Sequence, residues 1–141
     1  MTVRVVDASV VVKWYVEEPD SEAARALFRE SEEFAVPDLL FAEAATVLWK
    51  KARRGEITTE EAREISGWVI DGPFDVYSNR ELAGEAIRLA LEYSITPYDA
   101  SYIALAMKLG VDCATADRKL FGKLRDTAVA NHVTLLADYV H

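Results

Sequence analysis

The feature that most constrains the fold of this sequence is an apolar stretch that ends in an acid. Val3–Val6, interrupted only by Arg4, consists otherwise of β-branched residues and predicts a buried parallel strand. Asp7 follows at once, and a helix-like run begins soon after it. A carboxylate at the end of a buried strand costs free energy unless something compensates it. The fold must therefore bring a compensating group to Asp7.

Three further acids stand in similar apolar or small-residue settings. They are Glu43 in Phe41-Ala42-Glu43-Ala44, Asp99 in Pro97-Tyr98-Asp99-Ala100, and Asp117 in Ala114-Thr115-Ala116-Asp117. We predict that these three acids and Asp7 converge, and that a divalent cation compensates them. Their oxygen ligands suit Mg²⁺ or Mn²⁺. Ser9 and Thr115 are hydroxyls at corresponding strand ends and could orient a ligand, although such residues are also common in caps and turns.

Each acid also has a local explanation that the residues alone leave open. Asp7 and Asp117 can cap the helices that follow them. Asp99 belongs to a helix-start pattern with Thr96 and Pro97. Glu43 lies in or beside the core-facing stripe of its helix, where it could instead pair with a lysine or arginine. Their joint placement, at strand ends and in first helical turns, favours a shared site.

Strands alternate with helices along the whole chain. The predicted strands are Val3–Val6, Phe34–Val36, Phe74–Tyr77, Val111–Thr115 and Val133–Leu136, and the predicted helices cover 10–16, 21–31, 37–54, 58–71, 79–93, 96–109 and 117–125. Thr58 and Glu61 form a capping box, and Asn79 is expected to cap its helix. This pattern predicts an α/β three-layer sandwich with a central parallel sheet of four or five short strands and helices on both faces.

Length and composition narrow the class of protein. The chain has 141 residues, which predicts a single domain over 1–141. It contains no apolar run long enough for a membrane span and no signal-peptide pattern, so we expect a cytoplasmic protein. Cys113, the single cysteine, is expected to be a buried, inert thiol. The net charge of −8 argues against bulk electrostatic binding of nucleic acid, but metal ions can invert the charge of an acidic pocket.

In order and spacing, four motifs resemble those of the PIN-domain nucleases, and more narrowly those of the VapC-type toxins of prokaryotic toxin–antitoxin pairs. The motifs are Val6-Asp7-Ala8-Ser9, Pro37-Asp38-Leu39-Leu40 leading to Glu43, Tyr98-Asp99-Ala100-Ser101-Tyr102-Ile103-Ala104-Leu105-Ala106, and Thr115-Ala116-Asp117-Arg118-Lys119-Leu120. Each motif is weak alone, but the ordered set spans nearly the whole chain and is fairly specific.

The resemblance implies a metal-dependent endoribonuclease with a PIN-like parallel sheet. It implies that Asp7, Glu43, Asp99 and Asp117 are the catalytic, metal-binding cluster, with Mg²⁺ or Mn²⁺ as cofactor and Ser9 and Thr115 as supporting polar groups. One or two ions would polarise the scissile phosphate and activate water for in-line attack. The resemblance also implies a homodimer and a cognate antitoxin whose tail can enter the active-site groove.

An RNA substrate also requires a basic rim. The candidate cations are Lys13, Arg53, Arg54, Lys119, Lys123 and Arg125, and Trp14, Tyr98 and Tyr102 could stack on a base or simply pack. Neither His132 nor His141 is expected to be catalytic, because both lie far along the chain from the motifs.

Rival functions make distinct predictions. A haloacid-dehalogenase-type enzyme would carry a second acid where this chain has Ser9, and a response-regulator receiver would carry a paired acid near the first strand; both are disfavoured. Two alternatives remain. One is a non-catalytic protein-binding α/β module in which the acids are helix caps. The other is a PIN nuclease of RNA processing outside any toxin system.

Overall fold

Five short strands form one sheet in the computed structural model, which describes residues 3–139. The order across the sheet is β3-β2-β1-β4-β5, and every neighbouring pair is parallel. The strands are β1 (Val3–Val6), β2 (Glu33–Pro37), β3 (Phe74–Tyr77), β4 (Cys113–Thr115) and β5 (Val133–Leu135). The predicted α/β sandwich with a parallel sheet is confirmed.

Helices connect these strands and cover the sheet. They are α1 (Ala8–Lys13), α2 (Ser21–Glu30), α3 (Leu40–Arg53), α4 (Thr59–Ile70), α5 (Asn79–Tyr93), α6 (Pro97–Leu109) and α7 (Arg118–Leu124), followed by 3₁₀ turns at Ala130–His132 and Leu136–Asp138. The predicted capping box of Thr58 and Glu61 is present at the start of α4. No helix within residues 3–139 is both long enough and apolar enough to span a membrane.

The centre of the core is the contact between β1 and α6. Val5 and Val6 are fully buried, and every residue of α6 from Ala100 to Ala106 is buried. This helix packs against β1, β2 and β4. Cys113 in β4 is buried as expected, and burial raises the pKa of its thiol, so the thiolate is disfavoured. The core thus holds α6 and the strand ends in a fixed relation.

The strand order places a crevice beside β1. The chain runs from β1 to β2 and β3 on one side of β1, whereas β4 and β5 lie on the other side. In parallel sheets, ligands bind outside the carboxyl ends of the strands at such a reversal. Asp7 directly follows β1, and Asp117 lies two residues after β4. The fold therefore assigns a binding crevice to the edge where these two acids lie.

Two predicted helix starts were wrong. The first helix begins at Ala8, because Asp7 is its N-cap and accepts a hydrogen bond from the Val10 amide. The helix ends at Lys13, three residues before the predicted end. The helix predicted from Pro37 begins at Leu40. Pro37 pairs instead with Tyr77 as the last residue of β2, and the Asp38 amide donates to the Tyr77 carbonyl.

The predicted role of Asn79 was also wrong. Ser78 is the N-cap of α5, and its hydroxyl accepts from the Arg80 amide, whereas Asn79 is the first helical residue. Strand bounds differed by smaller amounts. The fourth strand begins at Cys113 rather than Val111, and the fifth ends at Leu135 rather than Leu136.

Candidate active site

All four acids singled out in the sequence line one cleft at the carboxyl edge of the sheet. The cleft has a volume of about 650 Å³, and Asp7, Glu43, Asp99 and Asp117 all contribute to its wall. Asp7 follows β1, Glu43 lies in the first turn of α3, Asp99 lies in the first turn of α6, and Asp117 precedes α7. The fold brings together acids that are up to 110 residues apart in the chain.

Asp7 is the most buried of the four, with 9% of its surface exposed. Its carboxylate accepts hydrogen bonds from the Val10 amide and from the Ser9 hydroxyl. Burial raises the pKa of Asp7; hydrogen bonds from Ser9, Thr115 and Val10 oppose the rise, and the charge of Asp99 adds to it. Asp7 is thus a helix cap and also a carboxylate of the cleft, so the two interpretations are compatible.

Glu43 is half-buried and is held by a tyrosine rather than by a cation. The Tyr102 hydroxyl donates to Oε1 of Glu43 over 2.7 Å, and Tyr102 is itself only 2% exposed. Burial raises the pKa of Glu43, the hydrogen bond from Tyr102 lowers it, and the charges of Asp99 and Asp7 raise it further. Among the ion pairs of residues 3–139, none includes Glu43.

Asp99 and Asp117 form the more open side of the cleft. Burial raises the pKa of Asp99 and the neighbouring Asp117 raises it further, whereas Thr96 and Lys123 lower it. Asp117 is exposed, and one of its oxygens accepts from the Lys119 amide at 3.0 Å and the Leu120 amide at 3.1 Å. The cap predicted for Asp117 is therefore present, and the same carboxylate faces the cleft.

Ser9 and Thr115 connect the ends of β1 and β4. The Ser9 hydroxyl donates to Asp7 and accepts from the Ala116 amide at 3.2 Å. The Thr115 side chain is fully buried, it lowers the pKa of Asp7, and it accepts from the Asp117 amide at 3.0 Å. The two hydroxyls lie where the sequence placed them, next to Asp7.

The donor set of the cleft suits a hard divalent cation. Four carboxylates line it, and none of them forms an ion pair with a lysine, arginine or histidine among residues 3–139. As the side chains stand, no three His, Cys, Asp or Glu residues in that range are grouped so as to hold a metal ion. Mg²⁺, however, keeps several waters and takes few protein carboxylates, so it does not require a closed protein cage. The carboxylates of the cleft therefore have the chemistry that such an ion prefers, although they are not grouped closely enough to enclose one.

The PIN-domain sequence model matches residues 4–126, which is most of the chain. This chain belongs to the PIN-domain family. The family predicted from the four motifs is thereby confirmed. The matched range includes all four acids of the cleft.

Two relatives from Pyrobaculum aerophilum share extensive sequence with this PIN domain. Ribonuclease VapC3 is 40% identical over 121 residues, which cover 84% of this chain and 92% of the relative. Exonuclease VapC9 is 34% identical over 97 residues, which cover 69% and 71%. A crystal structure from the same organism, that of PAE2754, aligns with a TM-score of 0.70 and 28% identity over 96% of this chain and 85% of its own.

Only some of the predicted basic residues lie near the cleft of this PIN domain. Lys119 and Lys123 line an adjoining cavity of about 330 Å³, which shares Asp99 and Asp117 with the main cleft. The Lys123 ammonium group donates to the Ser94 carbonyl at 2.8 Å. These two lysines thus lie at one end of the acidic cleft.

The remaining predicted cations make contacts that do not place them on the cleft wall. The Lys13 ammonium group lies 3.3 Å from Glu18. Arg53 stacks over Trp49, Arg54 pairs with Glu56 at 3.6 Å, and Arg125 lies over Phe121. Lys50, which was not among the cations predicted from the sequence, does line the cleft. Its spacing of seven residues from Glu43, two turns along one face of α3, was the signal that could have identified it.

The three aromatic candidates have different environments. Trp14 is buried and its indole nitrogen donates to the Ala24 carbonyl at 3.0 Å, so it is a core residue. Tyr102 lines the cleft but is buried and bonded to Glu43. Tyr98 is 65% exposed and also lines the cleft, which leaves its ring available to a ligand. His132 bonds to the Val111 carbonyl, and His141 lies outside the described residues.

Proposed function

We propose that this PIN domain is a metal-dependent endoribonuclease, the toxin of a VapC-type toxin–antitoxin pair acting on RNA in the cytoplasm. The observation that carries the proposal is the set of four carboxylates in one cleft without a cationic side chain paired to any of them within residues 3–139. The similarity to a protein named Ribonuclease VapC3 supports the choice of RNA as substrate.

In this proposal Asp7, Glu43, Asp99 and Asp117 hold one or two Mg²⁺ or Mn²⁺ ions. When bound, such ions supply Lewis acidity that activates water and stabilises negative charge on the scissile phosphate. Ser9 and Thr115 keep the carboxylate of Asp7 in position, as residues that bond to metal ligands commonly do.

Tyr102 supports Glu43 in the same way. Its hydroxyl donates to Glu43 from a buried position, so the carboxylate of Glu43 has a fixed partner while it faces the cleft. A hydrogen bond to a carboxylate favours the ionised form, which is the form that binds a cation. We therefore assign Tyr102 a supporting role rather than a role in base stacking.

RNA would enter along a path with lysines on both sides of the acids. Lys50 lies on the α3 side, and Lys119 and Lys123 lie on the α7 side. The exposed ring of Tyr98 provides a surface on which a base can stack, as in other proteins that bind single strands. Lys13, Arg53, Arg54 and Arg125 make their contacts elsewhere and are left out of this path.

A circular single-stranded RNA tests the proposal directly. An endoribonuclease converts the circle to a linear product, whereas an exonuclease needs an end and degrades only a linear control of the same sequence. This distinction is relevant because one relative is named an exonuclease. We expect linearisation with Mn²⁺, none with a chelator, and none with Asp7→Asn. If the folded wild type leaves both RNAs intact with Mn²⁺, the non-catalytic binding module replaces the nuclease.

We propose that the protein forms a homodimer through α5. Ile87 and Leu91 lie one turn apart on this helix and are 48% and 77% exposed. Leaving two such side chains in water is unfavourable, and burying them between two copies would remove that cost. Light scattering after gel filtration is expected to give the dimer mass for wild type and the monomer mass for Ile87→Lys/Leu91→Lys. A monomeric wild type contradicts this part of the proposal.

We propose that a cognate antitoxin lies along α3. One face of this helix lines the acidic cleft through Glu43 and Lys50, and another lines a groove of about 600 Å³ against α4. Trp49 in this groove is 56% exposed, and Trp68 on α4 is 50% exposed. A partner with apolar side chains would cover the groove, and its tail would extend into the cleft and block the acidic site.

Co-expression with the protein encoded beside this chain tests the antitoxin proposal. We expect a complex that inhibits RNA cleavage, and Trp49→Ser is expected to weaken it while leaving cleavage by the free protein intact. Cleavage without any inhibitory neighbour would favour the alternative, a PIN nuclease of RNA processing.

A further inference from the structure

Asn79 makes an unusual set of hydrogen bonds for a residue at a helix start. Its side chain does not cap α5, because Ser78 does so. Instead the side-chain oxygen Oδ1 of Asn79 accepts from the Leu39 backbone amide at 2.9 Å, and the side-chain nitrogen Nδ2 donates to the Ser101 hydroxyl at 3.0 Å. A single side chain thus joins the starts of α3 and α6.

The bond to Leu39 replaces a missing cap. Leu39 is the N-cap residue of α3 and has no side-chain acceptor, so the first amides of this helix need partners from elsewhere. Asn79 supplies one. The Leu39 carbonyl in turn accepts from the Glu43 amide at 3.1 Å, so Asn79 is connected through the backbone of one residue, Leu39, to the turn that carries Glu43.

The bond to Ser101 reaches the turn that carries Asp99. Ser101 is 4% exposed, and its hydroxyl donates to the Pro97 carbonyl at 2.8 Å. Ser101 and Pro97 each lie two residues from Asp99 in the first turns of α6. The bond to Ser101 therefore lies close in the chain to Asp99, which lines the same cleft as Glu43.

We infer that Asn79 is a positioning residue that sets the separation between Glu43 and Asp99. The backbone of Asn79 adds to the connection, because its amide donates to Asp38 at 3.1 Å, directly before Leu39. The inference rests on the proposed metal-dependent function for its effect on catalysis. Its geometric content, that Asn79 holds two helix starts together, does not depend on that function.

Titration of Mn²⁺ and single-turnover RNA cleavage measure the effect of Asn79→Ala. We expect Mn²⁺ affinity to fall about 10-fold and the cleavage rate at saturating RNA to fall by about 10–100-fold, which is typical of mutations in residues that orient metal ligands. The KM for RNA is expected to change less than about threefold, because Lys119 and Lys123 both lie on α7, which takes part in none of the altered contacts.

Ser78→Ala is the matched control. It removes the neighbouring cap hydrogen bond, which lies within the start of α5, and is expected to lower helix stability. We expect it to lower the melting temperature at least as much as Asn79→Ala while it leaves Mn²⁺ affinity unchanged. Equal Mn²⁺ affinity in wild type, Ser78→Ala and Asn79→Ala would overturn the inference and assign Asn79 to stability alone.

Ser101→Ala provides a second, gentler variant. It removes the α6 half of the connection together with the bond from Ser101 to the Pro97 carbonyl, and alanine suits a buried helical position. If Asn79 acts through Ser101, the losses of the two single variants are less than additive in the double variant, since both changes remove the bond between them. Fully additive losses would contradict a connection between them.

Crystal structures of metal-free wild type and Asn79→Ala keep the inference separate from the proposed function. We expect the distance between the carboxyl groups of Glu43 and Asp99 to change by about 1 Å, enough to affect a catalytic site. An unchanged distance overturns the inference, even if the wild type is a nuclease. A changed distance in a protein that neither binds Mn²⁺ nor cleaves RNA supports the inference and rejects the proposed function.

Discussion

The acids at the two edges of the sheet have opposite kinds of partners. At the amino edge, Arg4 contacts both oxygens of Asp112, at 2.9 and 3.1 Å, and the Thr134 hydroxyl adds a bond of 2.6 Å. Among the side-chain nitrogen and oxygen atoms of residues 3–139, only Nε of Arg4 is buried without a hydrogen-bond partner. At the carboxyl edge, four acids share a cleft, and none pairs with a basic side chain in that same range.

This difference separates structural acids from acids available for chemistry. Asp112 is neutralised where it stands, so its presence is explained by the fold. Asp7, Glu43 and Asp99 have raised pKa values, chiefly because they are buried, so their charged forms are less favourable in the protein than in water. Groups with perturbed pKa values that converge in a cleft are candidates for function. The comparison yields four predictions, given from the largest expected effect to the smallest.

Asp7→Asn at the carboxyl edge is expected to reduce RNA cleavage more than ~100-fold, beyond the usual loss for residues that only support a metal ligand. Asparagine caps helices as well as aspartate does, so the fold should be retained. Quantified cleavage of a labelled RNA with Mn²⁺, with circular dichroism to confirm folding, checks this. If the variant retained more than a tenth of the activity, the Asp7 carboxylate would not be required for cleavage. The unpaired acids of the carboxyl edge would then differ from Asp112 only in lacking a cationic partner.

Asp112→Ala at the amino edge is expected to have the opposite profile. It leaves Arg4 without its partner and should lower the free energy of unfolding by about 2 kcal/mol, between the values for surface and buried pairs. Cleavage by the folded protein should stay within about twofold of wild type. Denaturant titration measures the loss, and Asp71→Ala, which removes an exposed acid, is the control. A large loss of activity in the folded variant would remove the distinction between the edges.

The stability of the metal-free protein is expected to depend on pH through the carboxyl edge. The folded-state pKa of Asp7 lies above its unfolded value, so the folded state binds more protons between the two values. The free energy of unfolding therefore falls as pH rises through that window, and the cost is fully present above it. Asp7→Asn avoids this cost.

Melting curves in chelator from about pH 3.5 to 7 measure this dependence. The melting temperature of Asp7→Asn should exceed that of wild type at pH 7, because the asparagine side chain has no charge to bury. The difference should vanish at the acidic end, and saturating Mn²⁺ should reverse it. A difference that does not vary with pH would mean that Asp7 is already compensated in the metal-free protein.

The smallest expected effect lies on the lysines beside the carboxyl edge. Lys119→Gln/Lys123→Gln should raise the KM for RNA by about 3–10-fold, with little change in the maximal rate. Each lost phosphate contact should reduce the salt dependence of binding by ~0.7 in slope. Arg54→Gln, which removes a cation paired to Glu56, is the control. An equal effect in the control would indicate binding by overall charge rather than by a path at the cleft.

Local patterns in the sequence identified much of this site. The break from Val6 to Asp7 and the strand–helix alternation were enough to predict the parallel sheet and the edge where Asp7 lies. Thr58 and Thr96 cap their helices as expected, because capping involves residues only three apart. Ser9, Thr115 and the four acids also lie where they were predicted, at one edge of the sheet.

The errors came from contacts between distant residues. Pro37 was expected to start a helix, but pairing with Tyr77 keeps it in the sheet. Asn79 was expected to cap its own helix, but its side chain bonds to residues 40 and 22 positions away. Lys13 lies 3.3 Å from Glu18, a contact that its local sequence did not predict. No local propensity contains such partners.

The sequence by itself determined which groups could act: four carboxylates, each preceded or followed by apolar or small residues, in the order typical of a PIN domain. Tertiary structure alone decided how they are held. It buried Asp7 beside Ser9 and Thr115, placed Glu43 against Tyr102, and set α3 and α6 around Asn79. The physical reason is that residue type follows from the chain, whereas burial, charge repulsion and hydrogen-bond partners arise only when distant segments pack together.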